Sequence, residues 1–323
     1  MNFPVFDLHC DTALRLLGDD GNQAGSLDQN NGHIDLTRAG KLPGYCQCFA
    51  CFTTPYMEEK KWYGLSPVIV FEREIATIQR EVDKNKKKIG LVYSADDIRE
   101  NYEKGKMSAL LAIEGPAGFG FDPELLEPMY QAGFRISTLG WNERNVLTGS
   151  NQTGEGLTDQ GREYARNAQN LGILVDVSHI SDAGFWDIMK ITQAPVIASH
   201  SNSRAVCGHA RNLTDDMFRA IRDTGGVAGI NQYAEFLGEK PTLDTVCDHI
   251  FHFLEMDPEC RHIALGGDLD GCDALAEGFE GVQSYPGLAD RLLERGLTEE
   301  MVMNIYWNNA LGVMDAAVRN NKK

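Results

Sequence analysis

Six side chains that can bind a metal ion or carry a proton stand at the ends of five short apolar segments in this 323-residue chain. They are His9, Asp11, Glu114, His179, His200 and Asp268. Histidine nitrogens and carboxylate oxygens are ligands that zinc and similar divalent ions take in proteins. A fold that brought the five segment ends together would therefore assemble a metal centre from them.

His9 and Asp11 are separated by one residue, which on a β-strand points both side chains to the same side. Both can then approach one cation, and Asp7, which has the same parity, can orient a ligand from behind. Incidental polar residues at the end of a strand would give the same short motif. The pair is therefore a candidate for metal binding only in combination with other ligands.

Glu114 ends the apolar run Ala109–Ile113, and a carboxylate buried beside such a run is costly unless it is paired or binds a metal. We interpret it as a bridge between two cations, with a helix N-cap or an ion pair with an arginine as the alternatives. His179 and His200 each leave an apolar strand, where a lone histidine is more often a cap or a core residue. Taken with the three candidates above, both are interpreted as metal ligands.

Asp268 follows Ile263–Gly267, whose glycines allow another group to approach closely. Its carboxylate can act as a general base on a metal-activated water. Asp270 could be taken for the same role, but Asp268 lies nearer the strand end and is preferred. Arg211 lies in the loop after the sixth predicted strand, where its guanidinium can hold a substrate carboxylate with two hydrogen bonds. An ordinary structural ion pair is the alternative for this arginine.

The segments that carry these residues are short and rich in Val, Ile, Leu and Phe without alternation, which is typical of strands covered on both faces of a parallel sheet. Eight strands are predicted: Phe3–Leu8, Tyr45–Phe52, Ser108–Ile113, Phe134–Leu139, Gly172–Ser178, Pro195–Ser199, Gly226–Ile230 and His262–Gly267. Amphipathic segments between them predict helices, among them Val68–Lys88, Gly161–Leu171, Asp182–Lys190, Thr214–Thr224 and Leu243–Glu255.

This alternation predicts an α/β fold, a (β/α)₈ TIM-type barrel, as a single domain over residues 1–323. A doubly wound open sheet is the alternative, but it would carry a glycine-rich phosphate turn after its first strand. The sequence there is Leu8-His9-Cys10-Asp11, which is not such a turn. In a barrel the carboxyl ends of the strands converge on one face, where catalytic residues lie. The six side chains are therefore expected to meet in space.

The composition excludes several classes of partner. The chain has 47 acidic and 30 basic residues and a formal charge of −17, which argues against nucleic-acid phosphates or an anionic membrane as partners. We find no signal-peptide pattern and no apolar stretch of the roughly 18 residues that span a bilayer. Eight scattered cysteines in such a chain are expected to be reduced thiols, those of the Cys46–Cys51 segment included. A soluble, cytoplasmic protein is the expectation.

The ordered set of motifs resembles the membrane (renal) dipeptidase family of metallopeptidases, in the amidohydrolase superfamily. The motifs are His9-Cys10-Asp11, Glu114, Val177-Ser178-His179, Ser199-His200-Ser201-Asn202, Arg211-Asn212 and Gly267-Asp268-Leu269-Asp270-Gly271. The resemblance implies a (β/α)₈ barrel with two divalent metal ions, usually Zn²⁺. One ion would be bound by His9 and Asp11, the other by His179 and His200, with Glu114 bridging both. Asp268 would be the acid/base residue and Arg211 would hold the carboxylate of the substrate.

The implied activity is hydrolysis of dipeptides, including dipeptides with a C-terminal D-amino acid, by an enzyme that is often a homodimer. One position departs from the pattern, because Trp141 stands where family members such as the renal enzyme carry a substrate-contacting histidine. Trp141 and the neighbouring Asn142 are the candidates for that substrate contact, with Asn145 as the alternative to Asn142. The departure keeps open a second hypothesis, a binuclear hydrolase of another small amide or of a lactone. A non-catalytic binding barrel is a third hypothesis, which the complete ligand set disfavours.

Overall fold

A nearly closed barrel of parallel strands forms the centre of the protein. The computed structural model describes residues 3–18, 25–59 and 64–320. Within these ranges the strands are β1 (Val5–Cys10), β2 (Tyr45–Phe52), β3 (Ile89–Leu91), β4 (Met107–Glu114), β5 (Phe134–Thr138), β6 (Leu174–Asp176), β7 (Val196–Ile197), β8 (Ala228–Ile230) and β9 (Ile263–Leu265). All eight predicted strands have a counterpart among them, and the prediction of a (β/α)₈ barrel is confirmed.

The strands follow one another around the barrel in the order β7, β6, β5, β4, β2, β1, β9, β8. The gap between β7 and β8 is spanned by Ala198, whose backbone N–H donates to Val227 (3.0 Å) and whose carbonyl accepts from Gly229 (2.8 Å). β3 pairs with β4 outside this circle and was not predicted. It has three residues, one of them Gly90, and is too short to give a periodic pattern.

β6 and β7 are shorter than predicted because side-chain bonds replace the backbone ladder at their carboxyl ends. Asp176, the last residue of β6, accepts hydrogen bonds from the backbone N–H groups of Ser178 and Ser199, both at 2.9 Å. The two chains therefore leave the sheet tied to one carboxylate. This tie sets where the following residues, His179 and His200, enter the mouth of the barrel.

The helices lie around the barrel and follow most of the strands. They are α1 (Thr12–Arg15), α2 (Leu36–Ala39), α3 (Tyr56–Glu59), α4 (Pro67–Lys84), α5 (Ala95–Glu103), α6 (Leu126–Ala132), α7 (Asp159–Leu171), α8 (Asp182–Ile191), α9 (Asp215–Asp223), α10 (Ala234–Leu237), α11 (Leu243–Met256), α12 (Tyr285–Glu294), α13 (Glu299–Met303) and α14 (Asn309–Asn320). A π-helical turn, Asn304–Asn308, joins α13 to α14. None of the described helices is long and apolar enough to cross a membrane.

Two apolar layers hold these elements together. One fills the interior of the barrel with side chains such as Phe6, Leu110 and Leu174, and it includes Trp307 and Met314 from the C-terminal helical segment. The other lies between the outside of the strands and the helices. Burial of this apolar surface from water is the main stabilising contribution to such a fold. The interior layer occupies the barrel below its carboxyl end, where the polar side chains lie.

Candidate metal centre and substrate pocket

The six side chains predicted from the strand ends lie together at the carboxyl end of the barrel, and all six are buried. They form three overlapping groups in which the candidate ligand atoms lie within 4.8 Å of one another. The groups are His9, Asp11 and Glu114; Glu114, His179 and His200; and His9, His200 and Asp268. The convergence that a barrel predicts is therefore present in the structure.

In the first group, His9 Nε2 lies 3.4 Å from Asp11 Oδ2 and 3.4 Å from Glu114 Oε2. This nitrogen is buried and has no hydrogen-bond partner. An irregularity in the pairing of β1 with β2 between Asp7 and Cys10 interrupts the strand alternation just before the site. A buried nitrogen facing two carboxylate oxygens without a hydrogen bond to either fits a site for a divalent cation.

In the second group, His179 Nε2 lies 3.0 Å from Glu114 Oε1 and 2.9 Å from His200 Nε2. The other ring nitrogens have partners of their own, because His179 Nδ1 lies 2.9 Å from Asn142 Oδ1 and His200 Nδ1 lies 2.7 Å from Ser199 Oγ. Since an amide oxygen only accepts, His179 donates through Nδ1 and keeps a lone pair on Nε2. That arrangement is the one found in histidines that bind metals.

Burial and charge shape the protonation of this centre. Burial raises the pKa of Asp11 to about 8, and the charge of Glu114 adds to that effect. Burial lowers the pKa values of both His179 and His200, so their imidazoles are neutral, as metal ligation requires. Burial alone would lower the pKa of His9, but the neighbouring charges of Glu114 and Asp11 raise it well above its ordinary value. When no cation is bound, a proton on His9 therefore offsets the negative charge of the neighbouring carboxylates.

Asp7 has a different role from the one expected. Its carboxylate accepts hydrogen bonds from the backbone N–H groups of His9 (3.0 Å) and Gly267 (2.9 Å) and from the hydroxyl of Tyr285. It therefore ties the end of β1 to the segment after β9. The contact is with the backbone of His9, so Asp7 fixes the path of the chain and not the orientation of the ring.

Asp268 and Asp270 face different parts of the molecule. Asp268 Oδ1 lies 3.9 Å from His9 Nε2, and its Oδ2 accepts a hydrogen bond from Asn231 Nδ2 at 2.9 Å. Asp270 instead accepts from Thr12 Oγ1 (2.7 Å) and from the backbone N–H of His33 (2.6 Å). Asp268 is thus the aspartate that reaches the candidate ligand groups.

The backbone around this centre is held in unusual conformations. His179 has φ 69° and Asp268 has φ 56°, both in the left-handed region that costs a non-glycine residue energy. Gly271 is required on steric grounds, because a Cβ at this position would lie 2.0 Å from Asp11 Oδ2 and 2.6 Å from Asp268 Oδ1. Such strain is concentrated at functional sites, where the surrounding structure maintains it.

Asn231 was not predicted from the sequence, although it directly follows the predicted strand Gly226–Ile230. Besides its bond to Asp268, its backbone N–H donates to Asn202 Oδ1 at 2.9 Å, and Asn202 Nδ2 donates back to its carbonyl at 3.0 Å. The rule applied to the other strand ends, a polar residue where an apolar run stops, would have identified it. It fixes one carboxylate oxygen of Asp268.

Arg211 is a buried cation without a matching anion. Its side chain is buried, and its Nε and Nη2 atoms have no hydrogen-bond partner. Nη1 lies 3.4 Å from Ser201 Oγ, and the guanidinium carbon lies 5.3 Å from the centre of the Phe236 ring. Burial lowers the pKa of Arg211. Among the described residues it forms no ion pair, which leaves its fork of donors available to a bound anion.

These residues open into a pocket of about 720 Å³. Asp11, Glu114, His179, Arg211 and Asp268 all contribute to its lining, as do Trp141 and Asn142. The predicted substrate-contacting residues therefore lie at the pocket, and Asn142 also positions His179 through its amide oxygen. A small molecule with an anionic end can bind here between Arg211 and the candidate metal ligands.

Known proteins are similar to this chain along nearly its whole length. The sequence profile of the membrane dipeptidase family (peptidase family M19) matches residues 1–323. An uncharacterised dipeptidase of Schizosaccharomyces pombe is 29% identical over 97% of this chain and 80% of the relative. Dipeptidase VerJ of Clonostachys rogersoniana is 29% identical over 97% of this chain and 84% of the relative.

One solved structure adds a ligand to this comparison. It is the crystal structure of a metallopeptidase from Rhodobacter sphaeroides, liganded with a phosphinate mimic of the dipeptide L-Ala-D-Ala. That structure superposes on this one with a TM-score of 0.86 at 25% sequence identity, and the match covers 98% of this chain and 100% of the other.

Proposed function

The chain belongs to the membrane dipeptidase family of metallopeptidases, peptidase family M19, and we propose that it hydrolyses dipeptides at a centre of two divalent metal ions, with zinc as the metal. His9 and Asp11 would hold one ion, His179 and His200 the other, and Glu114 would bind both. Asp268 is proposed as the acid/base residue.

The position of Glu114 carries this proposal. Its Oε2 faces His9 at 3.4 Å and its Oε1 faces His179 at 3.0 Å, so the two oxygens of one carboxylate serve two separate groups of ligands. A single ion would need only one of these groups. The donor set of histidine nitrogens and carboxylate oxygens is also the set that zinc takes in hydrolytic enzymes.

When bound, two divalent ions supply a nucleophilic water at neutral pH and polarise the scissile carbonyl. The protein then has to move one proton and hold the substrate. Asp268 lies beside the ligand groups, takes the proton of the attacking water and returns it to the amine that leaves. The bond from Asn231 keeps the second oxygen of Asp268 occupied, so that its first oxygen faces the reacting groups.

Arg211 is proposed to bind the C-terminal carboxylate of the dipeptide. A buried guanidinium with two unused nitrogens matches a carboxylate, which accepts two parallel hydrogen bonds. The phosphinate mimic of L-Ala-D-Ala in the Rhodobacter relative supports dipeptides as substrates, including those with a C-terminal D-residue. A lactone or a neutral amide would leave Arg211 buried and unpaired, so the dipeptide is favoured over these alternatives.

The location and assembly are also proposals. A reducing, cytoplasmic compartment is supported by the eight cysteines, all of which are free thiols, six of them buried. A homodimer is proposed from the family, with analytical ultracentrifugation as its test. The acidic charge of −17 supports a small zwitterionic substrate over nucleic acid or an anionic membrane as the partner.

The test is a comparison of metal content and dipeptide hydrolysis in three proteins. The wild type is expected to bind two zinc ions per chain and to release amino acids from L,L or L,D dipeptides. Asp268→Asn should keep the metal and lose about 10²- to 10⁴-fold in kcat, because it removes the proton carrier. Asp223→Asn, an exposed aspartate in an ion pair with Arg222, is the matched control and should behave as wild type. Activity that resists a chelator, or that survives in Asp268→Asn, would refute the proposal.

A further inference from the structure

We propose that this enzyme selects dipeptides whose amino-terminal residue carries a large apolar side chain, and that this side chain lies against an apolar wall formed by Leu14, Phe52 and Trp141. The inference rests on the proposed function, because it takes the carboxylate of the substrate to be held by Arg211. The inference adds which amino-terminal residue the substrate carries.

The strand order determines the direction in which a bound dipeptide points. Arg211 follows β7, and around the eight-stranded circle the strand opposite β7 is β2. Phe52 is the last residue of β2 and lines the pocket. A dipeptide that is anchored at Arg211 and places its peptide bond at the ligand groups therefore extends its amino-terminal residue toward Phe52.

The apolar wall is a continuous and supported surface. The rings of Phe52 and Trp141 meet edge to face, with their centres 5.1 Å apart. Leu14 and Trp141 are partly buried and pack on the same apolar cluster as Phe52. Apart from one indole nitrogen, the wall presents only carbon atoms, so it favours an apolar side chain over a charged one.

Three buried side chains behind the wall keep it in place. They are Leu17, Met57 and Val70, which belong to the same cluster and come from the segment after α1, from α3 and from α4. Met57 and Val70 have no measurable exposure. Because a packed interior resists movement, these side chains support the wall as a preformed surface.

The side of the pocket near Arg211 has a different character. Its lining includes His209, Tyr233 and Glu235 beside Phe236, and His209 lies 3.8 Å from the Glu235 carboxylate. Polar and charged groups there can meet water or a polar side chain of the C-terminal residue. The two ends of the pocket therefore differ, and the apolar preference is assigned to the amino-terminal residue alone.

The test is the selectivity of the zinc-loaded enzyme within one series of dipeptides. The series keeps alanine at the C-terminus, in its L and D forms, and varies the first residue among Gly, Leu, Phe, Lys and Glu. Burial of a large apolar side chain against a preformed surface predicts that kcat/KM for Leu and Phe exceeds that for Gly by about tenfold or more. Lys and Glu should not exceed Gly.

Trp141→Ala and Leu14→Ala should each bring the Phe-to-Gly ratio of kcat/KM closer to one. The matched control is Trp186→Ala, because this tryptophan of α8 is 39% exposed and does not line the pocket, and it should keep the wild-type ratio. Thermal melting identifies any variant that fails to fold, and the other variant then decides. Equal kcat/KM for Gly and Phe in the wild type, or a ratio unchanged in the folded wall variants, would overturn this inference alone. Cleavage of no dipeptide at all would overturn the proposed function as well.

Discussion

Glu114 is the residue that connects the two halves of the candidate centre, and its surroundings explain how a buried carboxylate is tolerated. Burial acts to raise the pKa of Glu114, but the charge of His9 lowers it below its ordinary value. The side chain therefore stays ionised. Removing one partner of such a buried charge leaves the other uncompensated, which is strongly destabilising. The proposed cations would take over this compensation.

At the same scale, much of the site could be predicted from the sequence, because polar residues that end apolar strands must meet in a barrel. The six candidates at those ends were identified in this way. Asn231 was missed because an asparagine after a strand carries no metal-binding signal of its own. The predicted role of Asp7, orienting a ligand side chain, was wrong. Strand parity cannot show that the pairing of β1 with β2 becomes irregular after this residue.

Arg211→Met should raise KM for dipeptides, because the variant has similar length but cannot bind a carboxylate. Loss of hydrogen bonds to a charged group corresponds to about 1.5–3 kcal/mol, or roughly a 10- to 150-fold decrease in kcat/KM. Steady-state kinetics on one good dipeptide and on its C-terminal amide measure the effect. The amide, which lacks the carboxylate, should lose little from the substitution. An equal loss with both substrates would contradict the assigned role.

Asn231→Ala should lower kcat by about tenfold or more while the zinc content and KM stay near their wild-type values. The reason is that a typical hydrogen bond to a charged group contributes about 1.5–3 kcal/mol, and this bond orients Asp268, the proposed proton carrier. Metal analysis, melting and kinetics together separate this effect from a loss of structure. Unchanged kcat in a folded, zinc-loaded variant would show that Asn231 does not position Asp268.

At the scale of elements, the site depends on how strands end and not on how they run. Asp176 ends β6 and β7 early by binding the backbone of Ser178 and Ser199. The sequence predicted both strands but not their length, because a side chain that replaces ladder bonds leaves no periodic signal. Helix α4 contributes in a similar way through Glu74, whose carboxylate accepts a hydrogen bond from the N–H of Phe52 at 3.2 Å.

Glu74→Gln should make the stability of the protein less sensitive to alkaline pH. Burial raises the pKa of Glu74 well above its ordinary value, and the charges of Asp11 and Glu114 add to this. The folded state therefore keeps a proton that the unfolded state has released, so stability falls as the pH rises. The slope for one such group is at most about 1.4 kcal/mol per pH unit.

Urea unfolding at pH 5.5 and 8.5, with zinc held constant, measures this difference. Glutamine still accepts the hydrogen bond from the Phe52 N–H, and it has no acidic proton to lose. The variant should therefore lose less stability between pH 5.5 and pH 8.5 than the wild type does. The exposed Glu103 on α5 provides the control, and Glu103→Gln should follow the wild type. If Glu74→Gln and the wild type lose stability in parallel, Glu74 is ionised in the folded protein.

At the scale of the whole molecule, the barrel separates stability from chemistry. Apolar side chains fill the interior of the barrel and the layer between the strands and the helices. The polar groups of the candidate site collect at the carboxyl ends of the strands. The alternation of strands and helices was enough to predict this architecture. The backbone bridge of Ala198 that closes the barrel was not predictable, because it is a contact between separate segments, and the added strand β3 was not predictable, because its three residues are too few to give a periodic pattern.

Removal of metal should lower the melting temperature of the whole protein, because the proposed ligands come from four strand ends that only the folded state brings together. A ligand at 100 times its Kd adds about 2.7 kcal/mol to the stability. Differential scanning calorimetry before and after chelation measures the shift, which added zinc should reverse. His200→Ala should weaken this response, because it removes a ligand of one of the two proposed ions, whereas His252→Ala, on α11 outside the site, should keep it in full. An identical melting temperature with and without zinc would contradict the prediction.

Glu114 is proposed to bridge two metal ions. Anomalous scattering at the zinc edge, recorded from crystals of the zinc-loaded protein, tests this proposal most directly. Two peaks are predicted, one among His9, Asp11 and Glu114 and the other among Glu114, His179 and His200. A single peak, or peaks that do not contact Glu114, would contradict a bridging role of Glu114.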